Sequence, residues 1–309
     1  MEDEVPDKKA DCSISGDRLW DWWQQAKQQA VEADVPAVEL VWLLREITGL
    51  DRLALQLGSF QNQRQIATTR SLDDLQTLWQ QRIQARVPVQ YLVGYTTWRN
   101  FRLQVSPAVL IPRPETELMI DIAVATVAQS SIAAELSQGI WVDLGTGSGA
   151  IAIGLATAFP NATVIATDIS EAAIAIAQAN AAMNQVSHRI EFRQGSWFEP
   201  LADLTASLAG MVSNPPYIPS TMIPNLAPEV ARHEPTLALD GDIDGLGCLN
   251  QLVHKAPQYL REGGLWLAEM MLNQADSVST LLEGTNRYRA IQVHPDLTGR
   301  DRFVSAIAT

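Results

Sequence analysis

The chain has 309 residues, with 35 acidic and 22 basic side chains and a formal net charge of −13. It is longer than one average domain and has the 47% hydrophobic content of a globular protein, so we expect one small and one large domain. The excess negative charge argues against a bulk binder of nucleic acid or of anionic membranes. The two cysteines and four histidines lack disulfide or metal-ligand spacing, so no metal site is predicted.

The first 16 residues are polar and acidic, without the basic start and apolar run of a signal peptide. No segment of the sequence reaches the roughly 18 apolar residues of a membrane span. The sequence therefore predicts a disordered tail over residues 1–16 and a soluble, cytoplasmic protein that does not contact membranes.

Residues 17–87 have helical periodicity and no strand alternation, which predicts a small helical domain. Gly49 is a stop signal after one periodic stretch, and Ser71 with Asp74 has the spacing of a capping box before another. The apolar positions of these two stretches are Leu40, Leu43, Leu44, Ile47, Leu72, Leu75, Trp79 and Ile83.

Six of the nine tryptophans lie in the first 98 residues, where we expect them mainly to fill the small core. An exposed aromatic surface for a protein partner is the alternative. Trp22 and Trp23 are adjacent, and a single helical face cannot bury both. One of these two side chains is therefore a candidate for a partner contact.

Prolines at positions 107, 112 and 114 exclude a helix, and residues 88–117 are predicted to form a linker with a β-hairpin. From residue 118 to 309, apolar runs alternate with amphipathic stretches, which is typical of a parallel sheet with helices on both faces. The last two runs can form an antiparallel edge pair. The predicted strands are 140–144, 163–167, 190–193, 211–213, 264–268, 288–293 and 302–308.

A glycine-rich turn, residues 143–149, follows the first of these strands and opens a helix. Asp168 ends the next strand, where a carboxylate can accept both ribose hydroxyls of a nucleoside. Asp143 can bind an ammonium group, directly or through water, or simply brace the loop. Phosphate-binding spacings are lacking, so a nucleoside that carries an amino acid and no phosphate fits best, as in S-adenosyl-L-methionine. The predicted cofactor-binding residues here are Gly145, Thr146, Gly147, Ser148, Gly149 and Asp168.

Ser148 lies between two of these glycines, and no partner histidine is evident for nucleophilic work. We therefore expect it to shape the loop. The pattern D-x-G-x-G-x-G, with an acid after the second strand, resembles the Rossmann-like class I methyltransferases.

Asn214, Pro215, Pro216 and Tyr217 follow a predicted strand and are the predicted catalytic and substrate-binding residues. An amide nitrogen is a poor nucleophile, so a site that methylates it must accept its two N–H bonds and leave its lone pair facing the methyl group. Asn214 and the Pro215 carbonyl supply two acceptors, and the prolines preorganise the turn. Tyr217 can pack flat against a planar acceptor group.

N-P-P-Y resembles the signature of methyltransferases that act on planar nitrogen, in adenine, guanine or glutamine. Upstream, Q-Y-L-V-G at 90–94 and I-P-R-P-E-T-E at 111–117 closely resemble the PrmC/HemK family of protein-(glutamine-N5) methyltransferases. H-E-P at 233–235, D-G-L at 244–246 and G-R-D-R at 299–302 match as well. The resemblance covers nearly the whole chain, and the long run coupled to N-P-P-Y is specific.

The resemblance implies an α/β fold of the Rossmann-like class I type, with a mostly parallel seven-stranded sheet and helices on both faces. It implies an N-terminal helical substrate-recognition domain (17–87), a β-hairpin linker (88–117) and an S-adenosyl-methionine-dependent methyltransferase domain (118–309). The implied substrate is the glutamine of the Gly-Gly-Gln motif in peptide chain release factors. Trp197 and Asn214 would join the cofactor-binding residues. Arg113 and Glu115 would lie near the active-site mouth, with a structural salt bridge as the alternative.

Three positions depart from the family pattern. Ser196 replaces an acid expected near the adenine amino group, Trp98 replaces a phenylalanine of the hairpin, and Met271 replaces the glycine of Glu-x-Gly after the fifth strand. Without this glycine, we expect the backbone conformation after the fifth strand, near the substrate, to differ from that of the family.

Two other functions stay open on the sequence. A nucleic-acid amino-methyltransferase could use the same N-P-P-Y site, although the net charge disfavours it. A non-catalytic cofactor-binding protein that docks through the tryptophan-rich domain is the other.

Overall fold

The computed structural model describes residues 12–309. The chain divides into two compact units, the first ending at Val93 and the second running from Gly94 to Thr309. The predicted linker is thus split between them, with residues 88–93 in the first unit and the hairpin in the second. No helix in the described part of the chain is long and apolar enough to cross a membrane.

The first unit is mainly helical, but it also holds a short antiparallel strand pair. The expectation of no strand within 17–87 is therefore wrong at β2. Residues 1–11 of the predicted disordered tail lie outside the described part of the chain. The prediction is wrong for residues 12–14, which form β1. The elements are β1 (Cys12–Ile14), α1 (Gly16–Glu32), α2 (Ala37–Thr48), α3 (Arg52–Leu57), β2 (Ile66–Thr68), α4 (Leu72–Gln84) and α5 (Val89–Val93).

The helix signals of this unit act as the sequence predicts. All four apolar positions of α2 are buried, and Gly49 caps its end with a φ of 68°. Ser71 and Asp74 form a complete capping box at the start of α4, because each side chain accepts from the other residue's backbone N–H. These local bonds fix where the helices begin and end.

Trp22 and Trp23 are both buried, so the prediction that one of them is exposed is wrong. The helix that carries them packs against both α2 and α4, and two covered sides can bury adjacent residues. Trp22 donates from Nε1 to Gln76 at 2.7 Å. The Lys27 ammonium lies over the Trp23 ring, 5.3 Å from its centroid. The tryptophans here mainly fill the core.

A buried ion pair crosses the core of the first unit. The Arg82 side chain is 2% exposed, and its guanidinium makes two hydrogen bonds to the Glu39 carboxylate, at 2.5 and 2.9 Å. Glu39 is 21% exposed. The bidentate geometry compensates the guanidinium for the water it has lost.

The second unit begins with the predicted hairpin and continues into a seven-stranded sheet in the order β10-β11-β9-β8-β5-β6-β7. Its strands are β3 (Tyr95–Trp98), β4 (Phe101–Gln104), β5 (Ile140–Leu144), β6 (Thr163–Asp168), β7 (Ile190–Gln194), β8 (Leu208–Ser213), β9 (Leu260–Glu269), β10 (Tyr288–Pro295) and β11 (Asp301–Ala308). Its helices are α6 (Leu118–Ala128), α7 (Ala133–Gln138), α8 (Ala150–Ala158), α9 (Glu171–Met183), α10 (Pro228–His233), α11 (Gly247–Lys255) and α12 (Ala275–Gly284).

Strands β5 to β9 pair in parallel, and β11 and β10 add two antiparallel strands at one edge, so the predicted sheet and edge pair are confirmed. Alternate residues of β5 enter two different apolar clusters. Trp141 packs with α6 and α8 on one face, and Val142 packs with α11 and α12 on the other. Both faces are therefore covered by helices, as parallel sheets require.

The hairpin is fastened to α9 by two asparagines. Buried Asn180 accepts from the Gln104 backbone N–H at 2.6 Å and donates to the Gln104 carbonyl at 2.9 Å. Asn184 donates to the Arg102 carbonyl at 3.0 Å. Trp98 is buried beneath the hairpin, and its Nε1 donates to the Arg113 carbonyl. The hairpin is thus an integral part of the second unit.

Candidate active site

A pocket opens where the parallel strands β5, β6, β7 and β8 end. Ligands of open α/β sheets bind at this edge, because the loops after successive strands converge there. Ser213 ties two of the strand ends together by donating to the Leu144 carbonyl at 2.7 Å. The predicted site residues on its lining are Gly145, Thr146, Gly147, Ser148, Asp168, Trp197, Asn214 and Pro216. Further parts of the wall come from Ala108, Val109, Leu110, Pro112, Thr116, Pro235, Leu237, Ala238, Asp240 and Cys248.

The glycine loop is shaped by left-handed backbone and by bonds to β6. Gly145 and Gly147 have φ values of 74° and 53°, and the N–H groups of Gly145 and Thr146 both donate to the Thr167 carbonyl. Gly149 is not on the pocket wall. It precedes α8 with φ 84°, and a Cβ there would lie 3.1 Å from that of Ala177, so glycine is needed for close packing.

Ser148 holds the loop through its main chain, since its carbonyl accepts from the buried Asn180 amide at 2.8 Å. The same asparagine binds the hairpin strand β4. This contact agrees with a role of Ser148 in loop geometry, and sequence reasoning missed Asn180. A polar residue on an otherwise apolar helix face is the signal that could have found it.

Asp168 lies at the end of β6 and both of its oxygens are anchored. One accepts from the Gly147 N–H and the other from the Ser170 N–H, each at 2.9 Å. Burial raises the pKa of this carboxyl, and the backbone bonds counteract the rise. Each carboxylate oxygen has a second lone pair, so Asp168 can still accept hydroxyl groups of a ligand in the pocket.

Asp143 braces the glycine loop from below. Its Oδ2 accepts from the Thr146 hydroxyl at 2.6 Å and from the Ala152 N–H at 3.0 Å. Its Oδ1 is buried and has no hydrogen-bond partner among residues 12–309. Burial is the main reason that the pKa of Asp143 rises to about 7. Asp143 therefore braces the loop, which is one of the two roles that the sequence allowed. Its unbonded Oδ1 can accept a hydrogen bond from a further donor.

The raised pKa of Asp143 predicts a pH dependence of stability. Between about pH 4 and pH 7 the folded protein keeps a proton that the unfolded chain releases, so the free energy of unfolding falls as pH rises. Asp143→Asn lacks this proton. We expect the advantage of the wild type over this variant to shrink by about 2 kcal/mol from pH 5 to pH 7 in urea unfolding. A constant difference would show that Asp143 is ionised throughout.

Trp197 follows β7 and lines the pocket with a φ of 48°, a strained value for a large side chain. Such strain is common at functional sites, and it agrees with the prediction that Trp197 contacts the cofactor. Ser196, which replaces the expected acid, also lines the pocket, and its N–H donates to Glu199 at 3.1 Å.

The N-P-P-Y turn follows β8 and only part of it reaches the pocket. Asn214 and Pro216 line the wall, whereas Pro215 and Tyr217 are not among the lining residues. The Asn214 Nδ2 donates to the Thr116 hydroxyl at 3.3 Å, which leaves Oδ1 as the acceptor that the side chain can offer. The Tyr217 hydroxyl donates to Glu269 at 2.9 Å. Flat packing of Tyr217 on a substrate stays a prediction.

Thr116 and Glu269 are site residues that sequence reasoning missed as a pair. Both are buried, and the Thr116 hydroxyl donates to Glu269 at 2.6 Å. Glu269 ends β9, so a carboxylate at the end of an apolar strand was the available signal, as for Asp143 and Asp168. The backbone after Glu269 has no positive φ at Met271, so the lost glycine is tolerated, and Asn273 takes the left-handed conformation with φ 72°.

Arg113 and Glu234 join two segments of the pocket wall. Their ion pair spans 2.6 Å, with Glu234 almost fully buried and Arg113 one-third exposed. Burial raises the pKa of Glu234 and the Arg113 charge opposes that rise. Their neighbours Pro112 and Pro235 line the pocket, so the pair is a structural salt bridge that also lies beside the site. Glu115 is exposed.

Two known family models match different parts of this chain. The family model described as "PrmC N-terminal domain" matches residues 21–94, and the family model described as "Methyltransferase small domain" matches residues 119–230. A release factor glutamine methyltransferase of Synechocystis is 48% identical over 95% of this chain and 97% of its own length. One of Thermosynechococcus vestitus is 43% identical over 95% of this chain and 99% of its own.

The chain belongs to the family of release factor glutamine methyltransferases. The fold agrees: the catalytic domain of hMettl16, in complex with the MAT2A 3'UTR hairpin 6, superposes with a TM-score of 0.54 at 12% identity. That match covers 76% of this chain and 80% of the other. The predicted Rossmann-like class I methyltransferase fold is confirmed, and the chain is a methyltransferase.

Proposed function

We propose that this methyltransferase transfers a methyl group from S-adenosyl-L-methionine to the side-chain amide nitrogen of the glutamine in the Gly-Gly-Gln motif of peptide chain release factors. The observation that carries the proposal is that the glycine loop, Asp168 and the Asn214 amide line a single pocket. The residues predicted to bind the cofactor and those predicted to bind the substrate amide thus adjoin, in a chain that belongs to the family of release factor glutamine methyltransferases.

The pocket suits this cofactor. Its lining in the described chain contains Asp168 and Asp240 and no lysine or arginine, so it favours a cationic ligand without phosphate groups. Asp168 would hold the ribose hydroxyls, and the loop 145–148 and Trp197 would enclose the rest. When bound, S-adenosyl-L-methionine supplies an activated methyl group on a sulfonium.

The acceptor site would act by orientation. Asn214 Oδ1 and the Pro215 carbonyl would each accept one N–H of the substrate amide, and the nitrogen lone pair would then face the methyl group. No side chain of ordinary pKa removes an amide proton beforehand, so the proton leaves after methyl transfer. The rate then depends mainly on how rigidly Asn214 is held.

We further propose that the first unit is the substrate-recognition domain, since it corresponds to the PrmC N-terminal domain. Because release factors act in translation, we expect the enzyme to work in the cytoplasm. Within residues 12–309, no group of three or more His, Cys, Asp or Glu side chains could hold a metal ion.

The test is to incubate the enzyme with S-adenosyl-L-methionine and a release factor, then locate the methyl group by peptide mass spectrometry. We expect one methyl group on the glutamine of Gly-Gly-Gln and none on a release factor in which that residue is asparagine. DNA and RNA oligonucleotides serve as competing acceptors. Methylation of a nucleic acid in place of the release factor would overturn the proposal and favour the amino-methyltransferase alternative.

A further inference from the structure

The buried carboxylate of Glu269 is the centre of a hydrogen-bond network behind the pocket. Its Oε2 accepts from the Thr116 hydroxyl at 2.6 Å, and its Oε1 accepts from the Tyr217 hydroxyl at 2.9 Å. Burial raises the pKa of Glu269, while these two bonds and the positive charge of Arg302 oppose the rise. Both bonds run from a hydroxyl to a carboxylate oxygen, so each hydroxyl proton points at Glu269.

This direction of donation reaches Asn214. Thr116 has one hydroxyl proton, and that proton is committed to Glu269, so its oxygen can only accept from its other neighbour. Asn214 Nδ2 lies 3.3 Å from this oxygen and donates to it. An asparagine amide is nearly symmetric in shape, and only its hydrogen bonds decide which end faces which way. Thr116 therefore turns the oxygen of Asn214 away from itself.

We propose that Glu269, acting through Thr116, is a positioning residue that orients the Asn214 amide and thereby makes the site select glutamine over glutamate. The inference rests on the proposed function. With the amide oriented as it is, the acceptor site presents two oxygens, which attract the N–H bonds of a glutamine and repel a carboxylate. With the amide reversed, its N–H groups would bind a carboxylate and place a donor against the substrate nitrogen.

A purely structural tie is the competing explanation, because the network also joins residues 115–117 to β9 and to the turn after β8. The two explanations differ in what they predict for selectivity. A structural tie stabilises the fold and the whole pocket, whereas an orienting role changes the preference for glutamine over glutamate and the turnover of bound substrate. Sites that hydrogen-bond a substrate N–H typically reject the analogue without it by large factors.

The experiment compares Thr116→Val, which keeps the shape and loses the hydroxyl, with Thr116→Ser, which keeps the hydroxyl. Glu269→Met removes both acceptor oxygens and keeps the approximate length of the side chain. Thr126→Val is the matched control, since the one hydrogen bond its hydroxyl makes within residues 12–309 lies inside α6, to the Ile122 carbonyl. The readouts are kcat and KM for a release factor, Ki for the same factor with glutamate in Gly-Gly-Gln, and the Kd of S-adenosyl-L-methionine by calorimetry.

For Thr116→Val and Glu269→Met we expect kcat to fall by at least about tenfold, and the ratio of glutamate Ki to glutamine KM to fall about as much. The Kd of the cofactor should stay within about threefold, because the glycine loop and Asp168 are untouched. Thr116→Ser and Thr126→Val should behave as the wild type. Unchanged selectivity in a folded Thr116→Val enzyme would overturn the inference, as would a loss confined to cofactor binding.

The outcomes also separate this inference from the proposed function. If the wild type does not methylate the release factor, both fall together. If the wild type is active and Thr116→Val keeps its selectivity, only the positioning role falls. Should Glu269→Met fail to fold, the pair of threonine variants decides the question.

Discussion

Asn214→Ala is expected to lower kcat for release-factor methylation by about a hundredfold to a thousandfold. The substitution removes one of the two acceptors that would orient the substrate amide, and preorganised polar groups of this kind have effects of that size. The rest of the cofactor wall is unchanged, so the Kd of S-adenosyl-L-methionine should change by less than about threefold. Steady-state kinetics and calorimetry measure the two quantities separately.

Asn225→Ala is the matched control for this prediction. Asn225 is an exposed asparagine in the turn that follows the same motif, and in the described part of the chain its amide bonds only to the Thr221 carbonyl. We expect wild-type kinetics from it. An equal loss of turnover and of cofactor affinity in Asn214→Ala would mean that Asn214 holds the cofactor site together, and the assigned role in catalysis would be wrong.

Glu39→Ala is expected to lower the free energy of unfolding of the first unit by about 3 kcal/mol. The change removes a carboxylate that makes two hydrogen bonds to a guanidinium only 2% exposed, and breaking a buried ion pair is strongly unfavourable. Urea unfolding followed by tryptophan fluorescence reports on this unit, because five tryptophans lie before residue 94.

Arg82→Met is the informative partner variant. It leaves a Glu39 carboxylate that is 21% exposed and can turn to water, while methionine fills the apolar space of the arginine stem. We therefore expect it to cost about 1 kcal/mol, clearly less than Glu39→Ala. A larger loss in Arg82→Met than in Glu39→Ala would show that packing of the arginine stem outweighs the buried charge.

Local chemistry explains why so much could be read from the sequence. The strands of the large unit appear where apolar runs occur, since a strand buried on both faces must be apolar along its length. Gly49 and the Ser71–Asp74 capping box mark helix ends through bonds between residues at most four apart. β8 begins three residues earlier than predicted, because β-strand propensity depends on the neighbouring strands and not on the segment alone.

Helix α11 shows the limit of such local signals. It ends at Lys255, and β9 begins at Leu260 in place of Gly264. A short 3-10 turn with Pro257 lies between them, because proline cannot continue the hydrogen-bond ladder. Of the extra strand residues, Leu260 pairs with Leu208 of β8, and this pairing is not visible in the pattern of the segment itself.

The amino-acid sequence by itself determined the class of the fold, the glycine loop with Asp168, and the N-P-P-Y turn, because each depends on residues close together in the chain. Only the tertiary structure decided which distant side chains complete the site. Thr116 and Glu269 are 153 positions apart, and the order of the strands brings them together. The direction of their hydrogen bonds then decides how Asn214 faces the pocket, since a buried carboxylate must be satisfied by whatever donors the fold places beside it.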